Sequence, residues 1–157
     1  MRKNFSNEKV LIDKTMPSIF LAGPTLRNNN DFTKSWRYEA CELLADKKYD
    51  GIVYIPEKDG IASYDFLDQV EWERKALMNA SVILFYIPRK FPELPGFTTN
   101  VEFGYYLAKR PDSIVLCCPK DSEKNEYLKW LYKKDISEGE IFNDLNIAIN
   151  ACLLKIL

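Results

Sequence analysis

Three observations predict an α/β protein with a parallel sheet covered on both faces by helices. Short apolar runs read as buried strands, segments of helical spacing alternate with them, and glycine- or proline-containing turns close the runs. Alternation of this kind puts consecutive strands parallel and the ligand site at their carboxyl ends.

The first strand, Ser18-Ile19-Phe20-Leu21-Ala22, stops at Gly23-Pro24-Thr25, where small residues leave room for a ligand. Asn28, Asn29, Asn30 and Asp31 then offer caps for a helix in which Trp36, Ala40, Leu43 and Leu44 recur at helical spacing. Residues 51–55 read as the second strand, with Pro56 and Glu57-Lys58-Asp59-Gly60 as the loop at its end. A helix is predicted over 64–78 from Phe66, Leu67, Val70, Leu77 and Met78. Glu73 falls on the shoulder of that face and Arg74 inside it. Spacing therefore leaves Glu73 either in a solvated or ion-paired patch with Glu71 and Arg74, or in the chemistry.

The third strand, 82–87, is closed by Pro88 and a loop carrying Pro92, Pro95 and Gly96. Thr99 and Glu102 have the T-x-x-E spacing of a capping box. Thr99 is thus expected as the N-cap of a helix through Tyr105, Leu107 and Ala108, with Glu102 in its first turn. The helix dipole would keep a carboxylate there ionised at neutral pH, which suits a nucleophile or an electrostatic stabiliser; the same spacing also describes a plain cap. A fourth strand over 113–118 ends at Pro119. Tyr127, Leu128, Trp130 and Leu131 suggest a short helix, and 141–157 is apolar at helical spacing and expected to pack on the sheet.

The 157 residues are expected to form one domain over 16–157, preceded by a polar, mixed-charge tail at 1–15 that lacks the apolar core of a secretory signal. A cytoplasmic protein is the expectation. With 22 basic against 23 acidic residues, the charge balance argues against nucleic acid polymers and membranes and for a small-molecule partner. There is no histidine, which removes imidazole bases, Ser-His triads and histidine metal ligands and leaves carboxylates to carry acid, base or nucleophilic work. Cys41, Cys117, Cys118 and Cys152 include no C-x-x-C pair, and Cys117 and Cys118 would point to opposite faces of a strand as core thiols in a reducing compartment. Neither G-x-G-x-x-G nor a Walker A sequence is present, and no metal or cofactor is expected.

Four segments, taken in order, resemble the nucleoside 2-deoxyribosyltransferase-like proteins: Ile19-Phe20-Leu21-Ala22-Gly23-Pro24, Trp72-Glu73, Ile87-Pro88-Arg89 and Thr98-Thr99-Asn100-Val101-Glu102-Phe103-Gly104. The resemblance runs from about residue 18 to about residue 120. It implies a flavodoxin-like (Rossmann-like) three-layer sandwich with a central parallel five-stranded sheet, and cleavage of the N-glycosidic bond of a nucleoside or nucleotide. It implies that Glu102 attacks C1′ of the deoxyribose and that Glu73, where relatives usually carry aspartate, handles the leaving base. Burial against Phe66, Val70 and Trp72 would raise the Glu73 pKa for that task. Asn100 and Arg89 become candidates for holding the sugar, a 5′ group or the carboxylates; Gly23, Pro24, Thr25 and Thr99 complete the expected substrate-binding set.

Departures from the family pattern bear on which reaction is run. Phe20 stands where transferases carry a tyrosine that orients the nucleophile, and Gly96 where they carry a base-recognising aspartate. Tyr105 and Tyr106 are either replacements for the hydroxyl or core and interface residues. The C-terminus offers no aromatic or polar group of the kind relatives lend to a neighbouring subunit, yet a homo-oligomer is expected from the resemblance and from apolar Ile147, Leu153, Leu154 and Ile156. Three functions stay open: deoxyribose transfer between bases; hydrolysis of deoxynucleoside 5′-phosphates with Arg89, Lys90 or Thr25 on the phosphate; and a nucleoside-binding module without turnover.

Overall fold

Side-chain alternation along the strands decides the layers of the molecule. In the computed structural model, which describes residues 1–26, 31–59 and 65–157, strand β2 (Ser18–Ala22) turns Phe20 and Ala22 to one side and Ile19 and Leu21 to the other, all of them buried. Strands β3 (Ile52–Ile55), β4 (Val82–Tyr86) and β5 (Ile114–Cys117) are also divided between the two sides. One face is covered by α2 (Phe66–Asn79), α3 (Phe97–Lys109) and α4 (Glu126–Asp135), through Trp72, Leu77, Phe103, Leu107 and Tyr132. The other is covered by α1 (Trp36–Asp46) and α5 (Leu145–Ile156), through Ala40, Leu44, Ala148 and Ile149. Cys117 lies in the second core and Cys118 in the first, as strand geometry requires.

With the edge strands β1 (Arg2–Phe5) and β6 (Ile141–Phe142), the sheet formed by the described residues has six strands in the order β1-β3-β2-β4-β5-β6, every pair parallel. Without β1 the order is the flavodoxin-like 2-1-3-4-5. The added strand corrects two expectations, the five-stranded sheet and the tail at 1–15. Arg2 to Phe5 pairs with Ile52 to Ile55 along its length, Phe5 is buried, and buried Asn4 accepts from the Leu11 backbone at 2.9 Å while donating to the Lys9 carbonyl at 3.1 Å. The Tyr54 hydroxyl holds the Leu11 carbonyl at 2.7 Å. An edge strand gains its order from backbone pairing, which leaves little trace in its side chains.

Caps set the helix starts. Ser35 accepts from the Arg37 backbone at 3.1 Å to open α1, and Asp144 accepts from Ile147 at 2.9 Å to open α5, so the segment expected as helix from 141 is split into β6 and a capped helix. Helix α2 begins at Phe66; the expected caps at Asn28, Asn29 and Asn30, the loop residue Gly60 and the helix start at Tyr64 lie outside the described residues. Among the described residues no helix is long and apolar enough to cross a membrane.

Candidate active site

The chain leaves β2 toward β3 on one side and returns to β4 on the other, and this reversal opens a crevice at the carboxyl ends of β2 and β4. Gly23 makes the turn there with φ 153°, and a Cβ on it would lie 2.1 Å from the Tyr86 carbonyl oxygen, so only glycine lets the turn press against β4. A cavity of about 310 Å³ fills the crevice. Its walls are the turn Gly23-Pro24-Thr25, Pro56 after β3, Gln69 and Glu73 of α2, and the start of α3 through Thr99 and Glu102.

Helix α3 starts earlier than the T-x-x-E spacing predicts. Gly96, left-handed at φ 60°, is the N-cap, and no side chain among the described residues caps the helix. Thr99 is therefore the third residue of the helix and buried, and Glu102 lies in the second turn, beyond the strongest part of the dipole. The capping box does not form. Backbone N–H groups of the first turn are left for solvent or a ligand beside the cavity, where Phe97, Thr98 and Thr99 line the wall.

Position in the second turn brings Glu102 against Glu73. The two carboxyl groups share a hydrogen bond, and Gln69, one turn before Glu73, donates to Glu73 Oε1 at 2.9 Å. Burial and the neighbouring Glu73 charge push Glu102 up to about 8, and burial raises Glu73 as well. This overturns the expectation that the helix dipole keeps Glu102 ionised: a like charge in a poorly solvated site outweighs a dipole felt from the second turn. In the free protein both carboxyls hold their protons to higher pH than an ordinary glutamate does.

Opposite the pair stands a residue that sequence spacing did not single out. Arg37, in the first turn of α1, is 1% exposed and lines the same cavity. Its Nε donates to the Leu21 carbonyl at 2.8 Å, Nη2 to the Gly23 carbonyl at 2.6 Å, and Nη1 to Thr25 Oγ1 at 3.1 Å and Glu57 Oε1 at 2.6 Å. The signal was available in the helix itself: Arg37, Ala40, Cys41 and Leu44 are the buried residues of α1, so a charge occupies the apolar stripe.

Of the expected site residues, the structure brings together Gly23, Pro24, Thr25, Glu73, Thr99 and Glu102. Arg89 and Asn100 are not among the cavity's walls. Arg89 Nη2 bonds Asn100 Oδ1 and Nη1 donates to the Lys124 carbonyl at 2.9 Å, so the two side chains brace the loop after β4. Phe20 is buried, with its ring centroid 6.2 Å from that of Trp72 and 6.5 Å from that of Tyr54, and belongs to the core. Tyr106 is buried and Tyr105 half-exposed, and both line a second, mainly apolar groove of about 240 Å³ on the far side of Glu73 and Glu102.

The fold and the site define a flavodoxin-like α/β protein with two buried, raised carboxyl groups on the wall of a cavity at the switch point of its sheet. The family model described as nucleoside 2-deoxyribosyltransferase like matches residues 16–122, well over half of the chain, and the chain belongs to this family. Curated proteins contain no significant match to it.

Proposed function

We propose that this protein cleaves the N-glycosidic bond of 2′-deoxynucleosides and transfers the deoxyribose to another base, with Glu102 as nucleophile and Glu73 as acid and base. The observation that carries the reading is the hydrogen-bonded Glu73–Glu102 pair facing the cavity between β2 and β4. Its partners are then a nucleoside and a free base, with no role for nucleic acid polymers or membranes.

Glycosidic cleavage develops positive charge at the anomeric carbon and needs a proton for the departing group. One proton shared by two carboxyls suits both needs. On substrate binding Glu73 takes the proton and Glu102 is left as the carboxylate. The Glu102 carboxylate then bonds to C1′, the C1′–N bond breaks, and the base leaves with the proton from Glu73. A second base, giving its proton to Glu73, attacks C1′ and releases Glu102. In retaining glycosidases one carboxylate forms the covalent intermediate while a second carboxyl serves first as acid and then as base, and this is the division of labour proposed for Glu102 and Glu73. Water in place of the second base gives hydrolysis at the same site.

The test is a chromatographic assay over a panel of 2′-deoxynucleosides, with and without 5′-phosphate and with and without a different free base. New nucleoside is the expected product, falling by about 10³-fold or more in Glu102→Gln. Free base without exchange would replace transfer by hydrolysis. No reaction in any mixture, with thermal stabilisation by the nucleoside, would replace it by a binding module.

The proposal includes a homo-oligomer, built on a different surface from the C-terminal one. Phe66, Leu67 and Val70 of α2 and Phe97 and Val101 of α3 all point to solvent, Phe66 at 71% and Val101 at 73% exposure, beside the groove that Glu73 and Glu102 wall. At the C-terminus only part of the expected set is free: Ile147 and Leu154 are exposed, but Leu153 and Ile156 pack against the α1/α5 core. Light scattering on the wild type and Val101→Glu checks this, with a larger species that dissociates in the variant expected.

A further inference from the structure

We propose that Arg37 is a positioning residue of this site: it frames the turn 23–25 and acts as the buried counter-charge of the Glu73–Glu102 pair, with Glu57 as the carboxylate that moderates it. The proposal deepens the reading above and rests on the pair being the reacting group.

The geometry separates two tasks in one side chain. Nε and Nη2 hold the Leu21 and Gly23 carbonyls, so the guanidinium shapes the turn at the mouth of the cavity. Neutral donors would serve for that. The remaining nitrogen, Nη1, meets Thr25 Oγ1 at 3.1 Å and Glu57 Oε1 at 2.6 Å, and Glu57 also takes the Ser35 hydroxyl at 2.5 Å. Arg37 is 1% exposed and the Glu57 side chain 9%, so their charges are poorly screened by solvent or salt. Glu57 is bonded to Arg37 Nη1 and to the Ser35 hydroxyl, whereas Glu73 and Glu102 share the cavity wall with Arg37.

The groups that face the pair come from several elements. Helix α2 contributes Gln69, bonded to Glu73, and Arg74, which is exposed on the far groove; α3 contributes Tyr105 and Tyr106 on that same side. Arg37 comes from α1, and Glu57, after β3, acts through it. Arg37 is the buried cation of this set. Its charge favours the ionised form of both glutamates, opposing the burial that raises them. A helix from the opposite layer of the sandwich thereby limits how firmly the reacting pair holds its proton.

Two substitutions read this charge in opposite directions. Neutralising Glu57 leaves the Arg37 charge less compensated and strengthens its pull on the pair; neutralising Arg37 removes the pull. The carboxyl titrations are followed by ¹³C NMR of glutamate-labelled protein, with Glu102→Gln assigning the signals, and so do not depend on turnover. In Glu57→Gln the midpoint of the pair is expected to fall by about half a pH unit or more, in Arg37→Met to rise by about one pH unit, and in Arg37→Lys to stay within a few tenths. The pH profile of any turnover should move with it. A Glu57→Gln midpoint that stays in place or rises overturns the proposal and reduces Arg37 to a scaffold for the turn. Glu57→Gln and Arg37→Lys decide the matter even if Arg37→Met does not fold. A protein inactive on every deoxynucleoside but showing these midpoint changes would overturn the proposed reaction and keep the role of Arg37.

Discussion

Arg37 and Arg89 are both buried arginines at the carboxyl edge of the sheet, 1% and 3% exposed, and they are partnered in different ways. Arg37 bonds a carboxylate, a hydroxyl and backbone carbonyls, and shares a cavity with two further carboxyl groups. Arg89 has the amide of Asn100 and the Lys124 carbonyl, its Nε has no partner among the described residues, and burial pulls its pKa down. The Glu123 backbone adds a bond to the Arg89 carbonyl at 3.0 Å. Arg89 therefore ties the loop after β4 to the start of α3 and the segment before α4. The lesson is that a charged residue inside a family motif can be a brace, while one outside it sets the field at the site.

Substitution of Arg37 gives the largest expected effect. Arg37→Met leaves Glu57 buried beside a neutral thioether and frees the carbonyls of the turn. Breaking a buried pair from one side costs about 3–5 kcal/mol, and chemical denaturation at pH 7 should show a loss of that size. A loss below about 1 kcal/mol would mean that the Glu57 carboxylate is resolvated easily, and the contrast with Arg89 would collapse.

Next in size is a pH effect confined to the Arg37 side. Glu102 is raised from an ordinary 4.5 to about 8, so the folded state binds a proton that the unfolded chain has lost. That contribution is complete below about pH 4.5 and disappears as pH rises through about 8; Glu73, raised in the same sense, adds to it. Unfolding free energy should fall by a few kcal/mol between pH 5 and pH 8, because each tenfold difference in proton affinity between the folded and unfolded chains is worth about 1.4 kcal/mol. Glu102→Gln should flatten the slope and be more stable than wild type at pH 8. An unchanged slope in the variant would show that the raised group lies elsewhere. No such slope belongs to the brace, because Asn100 does not titrate.

What the sequence disclosed follows from which interactions leave a local pattern. Buried strands and amphipathic helices do, so β2 to β5 and the helices were legible, as was the order of the turns that meet at Gly23, Pro56 and Gly96. Glu102 and Glu73 were singled out by their resemblance to a family motif, and they lie together on one cavity wall because α2 and α3 converge at this edge of the sheet. Thr99 was misplaced because left-handed Gly96 starts α3 at Phe97, and a cap chosen by spacing cannot sense that backbone conformation. Arg37 was missed because its partners, Leu21, Gly23, Thr25 and Glu57, are distant in sequence, and β1 because backbone pairing orders it.

A smaller effect is expected at Arg89. Arg89→Met removes the bonds to Asn100 and Lys124 but also removes an incompletely bonded guanidinium, and leaves no carboxylate stranded. We expect a loss of about 1–3 kcal/mol in denaturation, with turnover per folded molecule within about threefold of wild type. A fall of two orders of magnitude in turnover with stability intact would place Arg89 on substrate and undo its reading as a brace.

The smallest effect isolates Asn100. As a residue it is exposed, and its Oδ1 meets Arg89 Nη2 at the border between solvent and the buried guanidinium. In Asn100→Ala, water can reach the vacated position and take up the N–H group, which buried partners of Arg37 do not permit. The loss should be about 0.5–1 kcal/mol, below that of Arg89→Met, and the double variant should lose no more than Arg89→Met alone, because both changes delete the same bond. Additive losses would mean that Asn100 stabilises α3 independently. A collapse of turnover with unchanged stability would instead put Asn100 on the sugar, and the motif around Glu102 would then act on substrate through both residues.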